Sequence, residues 1–209
     1  TAILSGDYLL GQASILSADL GANIAKILAE TILELCVGQI IEQQNLFDLK
    51  RTQAQYLKAI EGKTASLFAS TCKIGATVCD ADQETIDALE KFGFHLGMTF
   101  QIIDDLLDLT STSEALGKPA GNDIKEGNFT LPVIFALENE ELVKELLKDL
   151  SDTEKVLNIV RNEEYVTKTK KIALEHVESA KRYLTQANIN NEVKSSFSTL
   201  LTGLTLRAS

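Results

Sequence analysis

The stretch Phe92-Gly-Phe-His-Leu-Gly-Met-Thr-Phe-Gln-Ile-Ile-Asp-Asp-Leu-Leu-Asp108 decides how this chain is read. It is apolar on nearly every side, the pattern of a helix inside a core rather than on a surface. Its last turns nevertheless carry Asp104, Asp105 and Asp108. Buried carboxylates are costly unless they are paired or bound to a metal. The C-terminal end of a helix is also the negative end of its dipole, which disfavours anions. Two penalties fall on one place, so something cationic is expected there. A divalent metal carrying an anionic ligand meets both.

Working outward, the rest of the chain reads as helix. A first helix is expected over about residues 2–17 and a second over about 23–44, with Ile27, Ile32, Leu35, Ile40 and Ile41 on a broad apolar face. A third spans about 52–78 and is interrupted at Glu61-Gly62-Lys63-Thr64. Glycine inside a helix costs roughly 1 kcal/mol relative to Ala, so a kink or a close approach is expected there. Asp82 is a fair N-cap for the acidic helix. From Thr110 to Asn128 turn formers dominate, and a loop of that length beside the acidic cluster points to function. Helices resume at Thr130-Leu131-Pro132. Ser151-Asp-Thr-Glu154 matches a capping box. Two further helices cover about 166–186 and 192–207. The fold class expected is all-α, one domain of about eight helices.

Composition bounds the partners. The 209 residues hold two Pro and no Trp, and 44% are hydrophobic, enough for one domain with a real core. A net charge of −10 argues against a nucleic-acid partner held through phosphates. It leaves room for phosphate at one local basic cluster. No uncharged run approaches the roughly 18 residues of a membrane span, and no signal-peptide pattern opens the chain. A soluble cytoplasmic protein is expected, with Cys36, Cys72 and Cys79 as buried free thiols. The chain opens at Thr1 without Met and already in a helical pattern, as an excerpt of a longer protein would.

The chemistry rests on few residues. Asp104 and Asp108 stand at i and i+4 and share a helix face, with Asp105 about 100° round. Such hard oxygen ligands suit Mg2+, which keeps waters and is completed by substrate phosphates. The other reading is an ordinary helix end that opens to water. Lys63-Thr64 sits at the interruption of the third helix, among neighbours (Ile60, Ala65, Leu67, Phe68) that read as packed. Lys118 and Lys125 lie in the loop after the acids. Gln101 stands between Phe100 and Ile102 and needs partners for its amide, either in the acidic pocket or on a neighbouring helix. His95 and His176 are isolated in the sequence and receive no role.

Taken together, Ile3-Leu-Ser-Gly-Asp-Tyr-Leu-Leu10, Tyr56-Leu-Lys-Ala-Ile-Glu-Gly-Lys-Thr-Ala65, Phe100-Gln-Ile-Ile-Asp-Asp-Leu-Leu-Asp108, Leu116-Gly-Lys-Pro-Ala-Gly-Asn-Asp123 and Gly127-Asn-Phe-Thr-Leu-Pro132 resemble the trans-polyprenyl diphosphate synthases. Most specific is the second aspartate-rich motif with its preceding Phe-Gln. The resemblance implies a helical bundle of the isoprenoid synthase type with a central cavity. Residues 1–209 would be the C-terminal two thirds of such a domain. The first aspartate-rich motif and the basic residues for isopentenyl diphosphate, which the family carries upstream of Gly6-Asp7-Tyr8, are not among these residues. A second departure is Asn128, where the family usually has Lys; Lys125 is the nearest substitute.

The resemblance further implies a prenyltransferase that joins an allylic prenyl diphosphate to isopentenyl diphosphate. Mg2+ would be held by Asp104, supported by Asp105 and Asp108. Lys63 and Lys118 would hold the allylic diphosphate. Thr64 and Gln101 would line the pocket near the reacting carbon, and Phe100 would lie near the isopentenyl unit. The apolar helix faces would form the tunnel for the growing chain, and a homodimer is expected. Two alternatives carry the same fold: a non-catalytic partner subunit of a two-component synthase, and a terpene cyclase. The intact acidic set weighs against the first, and the Lys63-Thr64 and Lys118 segments fit elongation better than the second.

Overall fold

The structure, a computed structural model, describes residues 1–110 and 121–207. The described residues form helices and connections, without a strand. The helices are α1 (Ala2–Asp19), α2 (Ala22–Gln44), α3 (Gln53–Ile60), α4 (Ser66–Val78), α5 (Gln83–Thr110), α6 (Asn122–Lys125), α7 (Leu131–Asn139), α8 (Glu141–Asp149), α9 (Thr153–Val160), α10 (Glu163–Gln186) and α11 (Asn191–Arg207). A π-helical turn, Glu61–Ala65, joins α3 to α4. None of these helices is long and apolar enough to cross a membrane.

The acidic helix is the axis of the bundle. α5 runs for 28 residues and packs most extensively against α4 on one side and α10 on the other. Phe92, Leu96, Met98, Ile102, Ile103, Leu106 and Leu109 are buried around its circumference. Each large apolar side chain so buried contributes about 1.5–3 kcal/mol of transfer free energy. Asp82 caps its start, accepting from the Thr85 N–H at 2.7 Å.

Two contacts fix where the neighbours of α5 sit, and both use glycine for close approach. A Cβ on Gly38 would stand 2.2 Å from the Lys63 backbone nitrogen, so α2 crosses the π-helical turn backbone to backbone. On α5, Gly93 and Gly97 sit on Phe68 and Ala65 in the same manner. The interruption expected at Gly62 is therefore both a change of helix type and a close crossing.

Several local expectations need correction. The region after residue 130 breaks into more, shorter helices than expected, because Glu140 is extended and Leu150 takes a left-handed conformation. The cap of α9 is Asp152, which accepts from the Lys155 N–H, and not Ser151. Cys36 and Cys79 are exposed and Cys72 is half-buried, because α2 and the end of α4 present those positions outward. Leu67 is 47% exposed for the same reason. The apolar face of α2 is only partly covered: Ile27 is buried, while Ile40 remains half exposed.

His95 on α5 and His176 on α10, isolated in sequence, meet with their Nδ1 atoms 2.9 Å apart. The Tyr183 ring stacks on His95 at 5.6 Å. Burial, then the neighbouring His176 and Arg182, hold His95 down at about 4. Burial also lowers His176, against the pull of Glu175. Both folded values lie below the unfolded value of about 6.5, so the unfolded chain binds more protons. The stability carried by this contact is whole above about pH 6.5 and is lost as pH falls toward 4. Urea midpoints at pH 7 and pH 5 check this. The His95→Gln/His176→Gln variant is expected to lose much less of its midpoint between those values than the unmodified protein; an equal loss removes the pair as its source.

Candidate functional site

Gln101, Asp105 and Asp108 stand at i, i+4 and i+7 on α5, one stripe of the helix. Asp105 and Asp108 are buried, at 8% and 4% exposure. Asp104 is exposed and makes no hydrogen bond or ion pair among the described residues. The water-poor setting expected for all three acids thus holds for two. Asp104 and Asp108 share a face by spacing but not an environment, because the helix turns its 104 position to solvent.

The π-helical turn sets Thr64 against this stripe. Thr64 Oγ1 donates to Gln101 Oε1 at 2.7 Å, and Gln101 Nε2 donates to Asp105 Oδ1 at 2.7 Å. From the first turn of α3, the Tyr56 hydroxyl donates to Asp105 Oδ2 at 2.6 Å. Thr64, Gln101, Asp105 and Tyr56 therefore form one hydrogen-bonded chain across α3, the π-helical turn and α5. Burial pushes Asp105 up to about 7; the bonds from Tyr56 and Gln101 oppose that, and Asp123 and Asp104 add to it. The Tyr56 hydroxyl is raised as well, by burial and by Asp105.

Lys63 stands beside this chain. Its ammonium lies 2.7 Å from Glu42 Oε1 on α2, with Lys63 35% and Glu42 12% exposed. Asp108 receives the Asp123 N–H at 3.5 Å on Oδ2, and its carbonyl accepts the Gly121 N–H at 3.0 Å. α6 thereby folds back onto the acidic end. Lys125 is exposed on α6. Asn128 Oδ1 accepts from Arg51 Nη1 at 2.6 Å. Lys118 lies outside the described residues. Phe100 stands apart from the acidic stripe. Its ring lies 5.4 Å from Phe68 and borders an open cavity of about 550 Å³ lined by Leu96 and α11 residues Leu200 and Leu204. A separate groove of about 460 Å³ runs between α2, the π-helical turn, α4 and α5, with Val37, Ile41, Ala69 and Phe94 on its apolar side and Glu34, Lys58, Glu61, Glu90 and Lys91 also in its lining. Phe94 is seven residues before Gln101, on the same stripe of α5.

Among the described residues, no three carboxylate, imidazole or thiolate groups converge as a ready metal cage. The donor set instead fits a hard cation bound through one or two carboxylates and finished by ligand oxygens and water. Asp104 has open oxygens, whereas both oxygens of Asp105 are already engaged. Tyr56, Glu42 and Arg51 were not singled out for the site by the sequence. Their partners Asp105, Lys63 and Asn128 lie 21 to 77 residues away, so spacing carries no signal for them. The one available cue was Tyr56, which opens the Tyr56–Ala65 segment.

The polyprenyl synthetase family model matches residues 1–164. A prenyl transferase of Synechocystis sp. is 36% identical over 188 residues, which are 88% of this chain and 58% of that protein. Component 2 of the heptaprenyl diphosphate synthase of Bacillus subtilis is 41% identical over 153 residues, 73% of this chain and 44% of that protein. The chain thus spans about half the length of these relatives. A polyprenyl synthase from Caulobacter crescentus, solved with calcium and isoprenyl diphosphate, superposes with a TM-score of 0.89 at 28% identity, covering 99% of this chain and 66% of that one. With the family model matching more than half of its residues, and a relative 36% identical over most of it, the chain belongs to the polyprenyl synthetase family.

Proposed function

We propose that this chain is part of a prenyltransferase that extends an allylic prenyl diphosphate with isopentenyl diphosphate. The observation that carries the reading is the hydrogen-bonded chain from Thr64 through Gln101 and Asp105 to Tyr56 at the acidic end of a core helix, with Lys63 beside it. The aspartates would hold Mg2+, which on binding neutralises the departing diphosphate and polarises its bond to the allylic carbon. Asp104 is the ligand best placed to meet it from solvent. Asp105 supports the wall through its two fixed bonds, and Asp108 anchors α6. The Lys63 ammonium is available to a diphosphate by exchange from Glu42. Lys125, exposed on α6, would add charge, as would Lys118 from the sequence that follows the acids. Once the diphosphate has left, the allylic cation is attacked by the isopentenyl double bond, and the proton released passes to the diphosphate. Thr64 and Gln101 would border the reacting carbon, and Phe100 the isopentenyl unit. The groove along Val37, Ile41 and Phe94 offers apolar surface for the lengthening chain.

Residues 1–209 are proposed as the C-terminal part of an isoprenoid synthase domain, working in the cytoplasm as a homodimer. α1 buries only Ser17 of its 18 residues, while Ile3, Leu4, Tyr8, Leu9, Ile15 and Leu16 are exposed. An apolar helix this bare calls for a covering surface. A second reading makes the chain one component of a two-subunit synthase, and the name of the Bacillus subtilis relative favours it. A terpene cyclase gains nothing from the names of the relatives.

Asp104→Ala in the complete protein is expected to cut turnover of labelled isopentenyl diphosphate by orders of magnitude while the circular-dichroism helicity stays near that of the unmodified protein. Unchanged turnover rejects Asp104 as a metal ligand. Asp105 has a different signature. Its folded pKa of about 7 stands above an unfolded value of about 3.9, so its contribution to stability is present at low pH and is lost as pH rises through about 7. In chelator, Asp105→Asn is therefore expected to lose less of its thermal midpoint than the unmodified protein between pH 6 and pH 8. Sedimentation equilibrium at micromolar protein is expected to return a dimer; a lone monomer counts against the homodimer, and assembly only with a second subunit favours the two-component reading.

A further inference from the structure

Arg51 is 3% exposed, yet it comes from the connection between α2 and α3 rather than from a helix. A guanidinium keeps its charge in proteins and presents five N–H donors. Among the described residues only Nη1 is engaged, by Asn128 Oδ1 at 2.6 Å and by the Phe129 carbonyl at 2.9 Å. Nε and Nη2 are buried and have no hydrogen-bond partner among the described residues. Leaving a buried donor unmade carries the desolvation penalty of that group with no bond to offset it. Packing alone gives no reason to keep an arginine at such a place.

Its surroundings give one. The guanidinium carbon lies 5.5 Å from the centroid of the Tyr56 ring, whose hydroxyl is bonded to Asp105. Burial works against its charge. Glu42 on α2, Tyr56 on α3, Asp105 on α5 and Asp123 on α6 work for it. Glu42 is the group that holds Lys63, and the Asp123 N–H reaches Asp108. One buried cation therefore stands among acidic groups that come from α2, α5 and α6, with the Tyr56 ring of α3 beside it.

We propose that Arg51 is a positioning residue, the internal counter-charge of the acidic cluster, which biases the site against bare magnesium and toward magnesium that arrives with diphosphate. This rests on the reading of the acidic end as a magnesium–diphosphate site. A positive charge among the carboxylates weakens a bound cation and strengthens a bound anion, so removing it moves the two ligands in opposite directions. Loss of packing alone weakens both. That difference in sign separates an electrostatic role from a structural one.

Calorimetric titrations of the complete protein test this, first with Mg2+ alone and then with inorganic diphosphate at saturating Mg2+. The variants are Arg51→Met, Arg51→Lys and Asn128→Asp. Asn128→Asp keeps the bond to Nη1 and cancels the arginine charge in place, so it serves even where Arg51→Met does not fold. In Arg51→Met and Asn128→Asp, Mg2+ is expected to bind roughly three- to tenfold more tightly and diphosphate to bind more weakly by a similar factor. Arg51→Lys, which keeps the charge, is expected to stay within about twofold of the unmodified protein for both ligands. Weaker binding of both ligands, or no change in either, overturns the proposal. Absence of diphosphate binding in the unmodified protein overturns the underlying reading, and this inference with it.

Discussion

A carboxylate inside a helix that is packed on two sides has to be met by donors, and in this chain Asp105 is met by Tyr56 and Gln101. The rest of the site follows from that requirement. Gln101 is turned so that its carbonyl faces Thr64, which fixes the rotation of the π-helical turn. Tyr56 is pulled down onto α5, which fixes the start of α3. These bonds do not make the burial comfortable, since the carboxyl still sits near pH 7. A wall of this kind is poor at holding protons off and well suited to a cation that arrives from outside.

The helix crossings make this arrangement possible. Where α2 meets the π-helical turn and where α5 meets the π-helical turn and α4, glycines let the helices approach to backbone contact. Close-packed crossings of this sort leave few alternative registers. The donors are thereby delivered to Asp105 by rigid elements and not by loops. The connections from α2 to α3 and from α6 to α7 then bring Arg51 and Asn128 together across 77 residues, with the arginine buried.

Much of this was legible in the sequence. The all-round apolar pattern of residues 92–108 marks the axis of the bundle, and its three acids point to a candidate site, two of them buried and Asp104 exposed. The interruption at Gly62 is visible because glycine in mid-helix is costly, and the structure places both a π-helical turn and a close crossing there. What stayed hidden depends on contacts between distant segments. Nothing near Glu42 announces that it takes the ammonium of Lys63, and nothing near His95 announces His176. Exposure was the other blind spot. Asp104 and Asp105 are adjacent in sequence, yet one meets water and the other does not, and only the placement of neighbouring helices decides which. The cysteines show the same limit: an apolar helical context did not keep Cys36 or Cys79 inside.

The turn at Glu61–Ala65 has one more consequence. A π-helical turn holds one residue more than an α-helical turn over the same rise, so α3 and α4 are out of angular phase by about the 100° that one residue subtends. Tyr56 lies on one side of this offset, and Ser66, Ala69 and Ser70 lie on the other, buried in α4. Deleting a single residue here would leave a perfectly good helix and still ruin the molecule. The phenol would swing off its carboxylate, or the α4 face would rotate out of the bundle. The length of this segment is thus held as firmly as its chemistry, and related chains should tolerate exchange of letters here far better than a change in their number.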